Sequence, residues 1–225
     1  MPLDLTLFSD FVCPWCYLAE RSTIHRLESE YDVQVDWVGF ELHPEIPLGG
    51  LPTTALFPEP MLQAMLGPLQ AAAARMDLPL IPPAHVPNTR SALAVAEYGR
   101  LNGGLDAYRH LAMDAFWAEG RDIEDREVLG DLAEQAGMDA DAALAFAFSD
   151  AGEQAVAARR SIASERGVTA IPTVLLGRLP ILGFQPYDVF SRAAERAGAV
   201  ARPPPAANCG PAGFCRGTEG PALEA

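Results

Sequence analysis

The fold is decided by the stretch Asp10-Phe11-Val12-Cys13-Pro14-Trp15-Cys16. Before it, Leu3, Leu5 and Leu7 occupy alternate positions, which predicts a short strand with two different faces. After it, apolar residues recur at helical spacing as far as Tyr31. We therefore expect the two cysteines to lie where a strand gives way to a helix.

The spacing of these cysteines is typical of a redox-active dithiol. Cys13 and Cys16 would bring both sulfurs to the same side of the first helical turn. The unpaired N–H groups of a helix N-terminus stabilise a thiolate, so Cys13 is the predicted nucleophile and Cys16 the resolving thiol. Pro14 fits this turn, because the N–H that it lacks would have no partner within the helix. A zinc half-site and two inert core cysteines are the alternatives, although no Cys or His follows at zinc-finger spacing.

A second strand and a long connection are predicted next. Val33, Val35 and Trp37 alternate, and the helix between the two strands favours a right-handed parallel arrangement. The prolines over 44–60 predict a connection without regular elements, because proline suits neither a helix interior nor a central strand.

An alanine-rich block with helical periodicity and no strand signal follows the prolines. Asn88 and Asp139 are its predicted helix N-caps. After the block, a hairpin is predicted over 174–182 and a last helix from about Pro186 to Ala197. The predicted helices of the block are Met61–Asp77, Ser91–Leu101, Leu105–Glu119, Arg126–Ala136 and Asp141–Arg166.

Three motifs together resemble the DsbA-like thioredoxin-fold family, in particular its cytosolic FrnE-like branch. They are the stretch 10–16 with its CPWC motif, Phe40-Glu41-Leu42-His43-Pro44, and Thr169-Ala170-Ile171-Pro172-Thr173. The resemblance covers about residues 3–198 and implies an α/β thioredoxin fold with a helical domain inserted between its second and third strands. The expected divisions are a thioredoxin domain at 1–44 and 167–198, a helical insertion at 45–166, and an irregular C-terminal tail at 199–225.

The resemblance also assigns roles to individual residues. It makes Cys13 the attacking cysteine, Cys16 the resolving cysteine and Pro172 a cis-proline opposite them. A cis Ile171–Pro172 bond before a buried strand would leave backbone groups free to pair with an extended substrate, although trans bonds are far commoner in general. The predicted substrate-binding residues are therefore Ile171, Pro14 and Trp15, with packing on a helix face as the alternative role of Trp15.

Trp15 departs from the pattern of the periplasmic oxidants in the resembled family, which carry histidine at this position. A tryptophan adds no positive charge beside the thiolate, so we expect Cys13 to be less acidified and the pair to be less oxidising. The expected activity is disulfide isomerisation or reduction, with accompanying chaperone activity. A reduction potential near that of a strong oxidant, about −120 mV, would contradict this expectation.

The composition restricts the partners. The chain has 225 residues, of which 49% are hydrophobic, and this length fits one domain with an insertion. Sixteen basic residues against thirty acidic ones give a net charge of −14, which disfavours nucleic acids and anionic membranes. Residues 1–12 show no basic region of a signal peptide, and we expect a cytoplasmic protein, whose thiols are kept reduced.

The expected partners are protein disulfides and a thiol reductant such as glutathione or a thioredoxin system, and the exchange needs no cofactor. A homodimer would suit an isomerase, which benefits from a substrate-sized cleft, although this rests on analogy. One alternative is a binding protein that holds a metal or unfolded chains without turnover. Another is a glutathione-dependent small-molecule isomerase that resembles hydroxychromene carboxylate isomerase. Such isomerases carry serine at the position of Cys13, which argues against this alternative.

A second cysteine pair lies near the C-terminus. Cys209 and Cys215 are joined by a turn-forming loop short enough for the sulfurs to meet. The ten residues of 199–208 could reach about 33 Å if extended. We interpret the pair as an accessory redox couple, with a static clip, a metal site and two idle thiols as alternatives.

The other ionisable candidates receive structural roles. Asp10 is predicted as a loop or capping carboxylate, with proton acceptance during exchange as the alternative. His25 is too far along the helix to activate Cys13 and is expected to have a surface or packing role. His43, His85 and His110 share no spacing that indicates a ligand set, so no metal site is predicted.

Overall fold

The computed structural model describes residues 2–203, in which a four-stranded sheet is joined to a block of helices. In chain order the elements are β1 (Leu3–Ser9), α1 (Pro14–Leu18), a π-helical segment (Ala19–Ile24), α2 (His25–Glu30), β2 (Val33–Gly39), β3 (Leu51–Pro52), α3 (Thr53–Leu56), α4 (Glu59–Arg75), β4 (His85–Val86), α5 (Arg90–Asn102), α6 (Leu105–Trp117), α7 (Arg126–Gln135), α8 (Ala140–Ala147), α9 (Asp150–Glu165), β5 (Thr173–Leu176), β6 (Leu179–Leu182) and α10 (Tyr187–Arg196).

The sheet has the thioredoxin arrangement that the sequence predicts. Its strand order is β2-β1-β5-β6, and β1 pairs in parallel with β2 and antiparallel with β5. The predicted hairpin is β5 and β6, which pair antiparallel. The helices α3 to α9 all lie between β2 and β5, which confirms the fold class of a thioredoxin fold with a helical insertion.

A buried carboxylate connects the two halves of the fold. Glu20, in the π-helical segment, is fully buried, and its Oε1 accepts hydrogen bonds from Ser9 Oγ at 2.5 Å and Trp37 Nε1 at 3.1 Å. Its Oε2 accepts a hydrogen bond from Nη1 of Arg109 at 2.9 Å. Because Ser9 lies on β1, Trp37 on β2 and Arg109 on α6, one side chain ties the sheet to the insertion.

Two further hydrogen bonds hold the insertion against the end of β1. Trp117 Nε1, at the end of α6, donates to the Phe11 carbonyl at 2.8 Å. Tyr17, on α1, donates its hydroxyl to the Pro79 carbonyl at 2.8 Å. Phe11 also stacks on Trp37 with 5.2 Å between ring centroids. The helical block therefore closes over the segment that carries the cysteines.

The predicted helix over Asp141–Arg166 is wrong, because the chain forms two helices there. Phe148 ends α8, and Ser149 Oγ accepts the Gly152 N–H at 3.4 Å as the N-cap of α9. A Cβ on Gly152 would lie 2.4 Å from the Phe146 carbonyl oxygen, so the tight junction between the helices requires glycine. The helical periodicity of the alanine-rich sequence continues across this junction, so the sequence predicted one helix instead of two.

The prolines of 44–60 do not form a connection without regular elements, and the insertion does not lack strands. This region contains α3 and also β3, which pairs with β4 through Leu51↔Val86 and Pro52↔His85. Thr53 Oγ1 strengthens the link by donating to the Pro83 carbonyl at 2.6 Å. A pairing of two residues is too short to produce an alternating pattern in the sequence.

One predicted N-cap is confirmed, and the other lies one residue before the backbone N-cap although its side chain makes the capping hydrogen bond. Asp139 caps α8 by accepting the Ala142 N–H at 3.0 Å, as predicted. The N-cap of α5 is Thr89 instead of Asn88. The side chain of Asn88 accepts the Arg90 N–H and donates to the Ile46 carbonyl at 2.6 Å, and so joins α5 to the loop after β2.

The first residues of the predicted tail are attached to the sheet end. Ala201 forms a bridge with Tyr31, and the Arg202 N–H donates to the Glu30 carbonyl at 2.7 Å. The rest of the tail, including Cys209 and Cys215, lies outside the described residues. Among the helices of residues 2–203, none is long and apolar enough to cross a membrane.

Arg109→Leu is expected to lower the free energy of unfolding by about 3–5 kcal/mol, because it leaves the Glu20 carboxylate buried without its cation. Urea denaturation would measure the change. The control is Arg192→Leu, which breaks an exposed pair with Asp188 and should cost no more than about 1 kcal/mol. The double variant Glu20→Gln/Arg109→Leu should recover part of the loss, and equal losses in Arg109→Leu and Arg192→Leu would contradict the prediction.

Candidate active site

Cys13 is the N-cap of the first helix. The turn after β1 is closed by a hydrogen bond from the Cys13 N–H to the Asp10 carbonyl at 3.1 Å. Cys13 has an extended backbone, Pro14 occupies the first helical turn, and Cys13 Sγ accepts the Cys16 N–H at 3.4 Å. The sulfur therefore lies on an N–H group at a helix N-terminus, where negative charge is favoured.

The two cysteines differ in their surroundings. Both are thiols in this structure, and Cys13 is 3% exposed whereas Cys16 is fully buried. Burial raises the pKa of the Cys16 thiol well above its usual value, and the adjacent Cys13 sulfur raises it further. Cys16 therefore stays protonated while Cys13 is the sulfur in contact with the adjacent cavity.

Cys13 lines a cavity of about 220 Å³ between the two halves of the fold. Its lining includes the helix start and Ile171 from the thioredoxin half, and α4 and Trp117 from the insertion. Its lining is apolar apart from Cys13, His43 and Thr53. The cavity-lining residues of α4 are Leu62, Met65, Leu66 and Leu69.

The three predicted substrate-binding residues all line this cavity. Pro14, Trp15 and Ile171 contribute to its wall together with Cys13. Trp15 is half-buried and stacks on Phe184 with 5.8 Å between ring centroids and 23° between planes. Trp15 is therefore a packed residue with one part at the cavity.

The Ile171–Pro172 peptide bond is cis, as predicted. Pro172 is buried, and its carbonyl accepts the Gly183 N–H at 2.8 Å. Within residues 2–203, the backbone N–H and carbonyl of Ile171 form no hydrogen bond. The backbone groups that remain for an extended ligand are therefore those of Ile171 rather than the Pro172 carbonyl.

Asp10 has a role that the sequence did not indicate. It lies in a loop, as expected, but it does not cap a helix. It is fully buried, and its Oδ2 accepts the Leu42 N–H at 2.7 Å and the Thr89 hydroxyl at 3.3 Å. Burial raises the pKa of Asp10 to about 7, against an ordinary value of 3.8. Asp10 thus fixes the loop after β2 beside the loop that carries Cys13.

That loop places His43 in the cavity wall. His43 Nδ1 lies 3.0 Å from Glu45 Oε1, and Phe57 packs against the imidazole at 5.9 Å between centroids. His43 is not a predicted site residue, because its spacing to the other histidines does not indicate a metal-ligand set. The separation of two residues between His43 and Glu45 was the available signal, although such pairs are common on surfaces.

The sequence of residues 4–195 matches the DsbA-like thioredoxin domain family. The chain belongs to this family. Its relatives include YwbO of Bacillus subtilis, with 27% identity over 86% of this chain and 96% of that protein. Another is 2-hydroxychromene-2-carboxylate isomerase of Sphingobium xenophagum, with 27% identity over 78% of this chain and 90% of that protein.

Among solved structures, the DsbA-like chain is similar to SCO1869 of Streptomyces coelicolor, described as a probable DsbA oxidoreductase. The two share 27% identity and superpose with a TM-score of 0.73, covering 96% of this chain and all of the other. The family is thus one of thiol oxidoreductases that also has a small-molecule isomerase among its relatives.

The remaining histidines lie away from the cavity lining. His25 is exposed on α2, as predicted. His85 is exposed on β4, and its imidazole pairs with the Gly49 carbonyl at 2.9 Å. His110 lies on α6. Over residues 2–203, no group of three or more His, Cys, Asp and Glu side chains is placed to hold a metal ion.

Asp10→Asn is expected to flatten the pH dependence of stability between about pH 4 and 7. A carboxyl whose pKa is raised on folding stabilises the folded protein below its ordinary pKa, and this contribution is lost as the pH rises through about 7. The free energy of unfolding of the wild type should therefore fall with rising pH, relative to the variant, by on the order of a few kcal/mol.

The prediction concerns the difference in the free energy of unfolding between wild type and Asp10→Asn, because a second titrating group, His110, changes the stability of both proteins with pH in the opposite direction. Burial, helped by Arg109, lowers the pKa of His110 to about 3, which costs stability as the pH falls. Urea denaturation at several pH values would give both curves, with exposed Asp122→Asn as control. A constant difference between wild type and Asp10→Asn at every pH would contradict the assignment.

Proposed function

We propose that this DsbA-like protein is a cytoplasmic thiol-disulfide oxidoreductase that reduces and isomerises disulfides in extended polypeptide segments. The observation that carries the proposal is the position of Cys13, whose sulfur accepts the Cys16 N–H at a helix start and faces an apolar cavity. The proposed site residues are Cys13, Cys16 and Pro172, with Pro14, Trp15 and Ile171 on the substrate side.

The proposed reaction has two exchange steps. The Cys13 thiolate attacks one sulfur of the substrate disulfide, and the electron pair of the broken S–S bond leaves with the second sulfur, which takes up a proton. Cys16 then gives up its proton and attacks the Cys13 sulfur, which releases the first substrate sulfur and leaves a Cys13–Cys16 disulfide. In isomerisation Cys16 does not react. The released substrate thiol attacks another disulfide of the same chain, and the substrate thiol freed by that exchange then attacks the mixed disulfide, which re-forms a substrate disulfide and releases Cys13 as a thiolate.

The burial of Cys13 supports an extended substrate. Cys13 is only 3% exposed, which favours a disulfide on an extended segment that can enter the cavity over one held on the surface of a folded domain. The apolar wall from α4 favours an aromatic or branched aliphatic group beside the substrate cysteine. The unpaired backbone of Ile171 offers strand-like hydrogen bonds to an extended segment. A site of this kind also supports chaperone activity, because it binds apolar segments.

The proposed source of electrons is a thiol reductant such as glutathione or a thioredoxin system, without a cofactor. Trp15 brings no charge to the CPWC motif, which favours a potential below that of strong oxidants. We also propose that Cys209 and Cys215 act as an accessory couple. The described chain ends beside Tyr31, at the opposite end of β1 from Cys13, and the seven residues of β1 span about 23 Å.

The reach of the tail distinguishes its two cysteines. From residue 203, Cys209 could extend about 20 Å and Cys215 about 40 Å, so Cys215 is the proposed partner of Cys13. Replacing both tail cysteines should then slow re-reduction of Cys13–Cys16 by a thioredoxin system. Unchanged turnover with every reductant would exclude this accessory role.

The test is the refolding of a scrambled multi-disulfide protein in a glutathione buffer, followed by its recovered activity. The wild type should accelerate recovery, Cys13→Ser should not, and Cys209→Ser/Cys215→Ser should retain most of the effect. Cys16→Ser should accumulate a mixed disulfide with the substrate, because the resolving thiol is missing. A wild type without effect would contradict isomerisation and favour a dedicated reductase, a small-molecule isomerase or a binding protein.

Leu66→Trp should selectively impair substrates with an apolar group beside the cysteine, because the indole would fill the cavity. We expect kcat/KM for a peptide disulfide flanked by phenylalanine to fall about tenfold or more. The rate of Cys13 alkylation by small iodoacetamide should change far less. The control is Gln63→Trp, at an exposed position of the same helix. Equal losses for apolar and polar peptides would contradict a role of the cavity in selection.

A further inference from the structure

His43 is the one ionisable side chain besides Cys13 in the lining of the described cavity. The other lining residues, apart from Thr53, are apolar, so no further charged side chain of the lining lies between a charge on His43 and the Cys13 side of the cavity. The imidazole is 23% exposed, which lets it exchange protons with water. Trp15 occupies the position within the CPWC motif from which a histidine could add positive charge beside the Cys13 sulfur.

The contacts of His43 define its chemistry. Glu45 lies 3.0 Å from Nδ1, and its own backbone N–H together with His43 lowers the pKa of the Glu45 carboxyl. An ionised Glu45 holds a proton on Nδ1 and orients the ring, as carboxylates do for catalytic histidines. Nε2 is therefore the nitrogen of His43 that is left to donate a proton to a group in the cavity.

Other charged groups near this loop are already paired. Glu41, buried just before His43, contacts both Arg90 and Arg160. Arg90 also donates to the Pro44 carbonyl at 2.6 Å. From α4, the cavity receives only uncharged side chains. Glu45 is thus the one charged group in contact with His43 among the described residues of the loop and of these packed elements.

We propose that His43 is a catalytic residue of the exchange reaction: its imidazolium stabilises the Cys13 thiolate across the cavity and protonates the sulfur that leaves the substrate. This deepens the proposed function and rests on it. Cys13 forms the new S–S bond, the old S–S bond breaks, and its electron pair receives the proton from Nε2. Neutral His43 then regains a proton from solvent through its exposed edge.

The inference is tested on Cys13 alone. In the background Cys16→Ser/Cys209→Ser/Cys215→Ser, Cys13 is the single cysteine of the chain. Added His43→Gln should lower the rate of iodoacetamide alkylation at pH 7 about fivefold, because less of the thiol is ionised. His43→Lys should restore most of the rate, since it supplies a cation without the imidazole. The matched control, His25→Gln, should have no effect.

The outcomes separate this inference from the proposed function. If His43→Gln alkylates as fast as His25→Gln, the role of His43 is overturned, whatever disulfides the protein exchanges. If His43→Gln slows alkylation but the wild type reacts with no disulfide, the charge pairing stands and the proposed function fails. Equal losses in His43→Gln and His43→Lys would indicate a structural role and would also overturn the inference.

A second measurement leaves His43 in place. The imidazole titration, followed by NMR in the single-cysteine protein, should move to lower pH when Cys13→Ser removes the thiolate, because the imidazolium loses its counter-charge. An unchanged titration of His43 would overturn the inference even if the histidine variants fail to fold.

Discussion

The buried charge of Glu20 is the constraint on which the rest of the molecule depends. An unpaired carboxylate in an apolar core is too costly to keep, so its oxygens must find donors from every element that surrounds them. Ser9, Trp37 and Arg109 supply those donors from two strands and the insertion. Because Glu20 lies one turn beyond Cys16 on the same helical run, this arrangement also fixes the helix that carries both cysteines.

The candidate active site is consequently shared between the two halves of the chain. The thioredoxin half provides the thiols and the cis-proline, whereas the insertion provides most of the apolar wall. Hydrogen bonds from Trp117 to Phe11 and from Tyr17 to Pro79 join the two halves. Asp10 adds a hydrogen bond to the loop after β2. Cys13, at the end of a strand and the start of a helix, is buried in a cavity to which the insertion contributes most of the apolar lining.

The sequence predicted the parts of the site whose chemistry is local. Cys13 and Cys16 share one helical turn, and a cis bond was predicted before Pro172 from a short motif. The role of Asp10 could not be predicted in this way, because its partners lie 32 and 79 residues away. The break at Ser149 was not predicted for the opposite reason, since alanine suits the helix on both sides and only Ser149 and Gly152 mark the junction. Long-range pairing and tight junctions leave no periodic signal.

A thiolate in an apolar cavity must be stabilised by groups close to it, since water is largely excluded there. The Cys16 N–H and the helix N-terminus supply part of this stabilisation, and the CPWC motif supplies no cation. Within the cavity lining that the structure describes, His43 is the one side chain that can add positive charge, and it lies on the loop that Asp10 holds in place. The proposed role of His43 would make the reactivity of Cys13 depend on a residue thirty positions away. Two proteins with the same CPWC motif can therefore differ in redox behaviour through this loop alone.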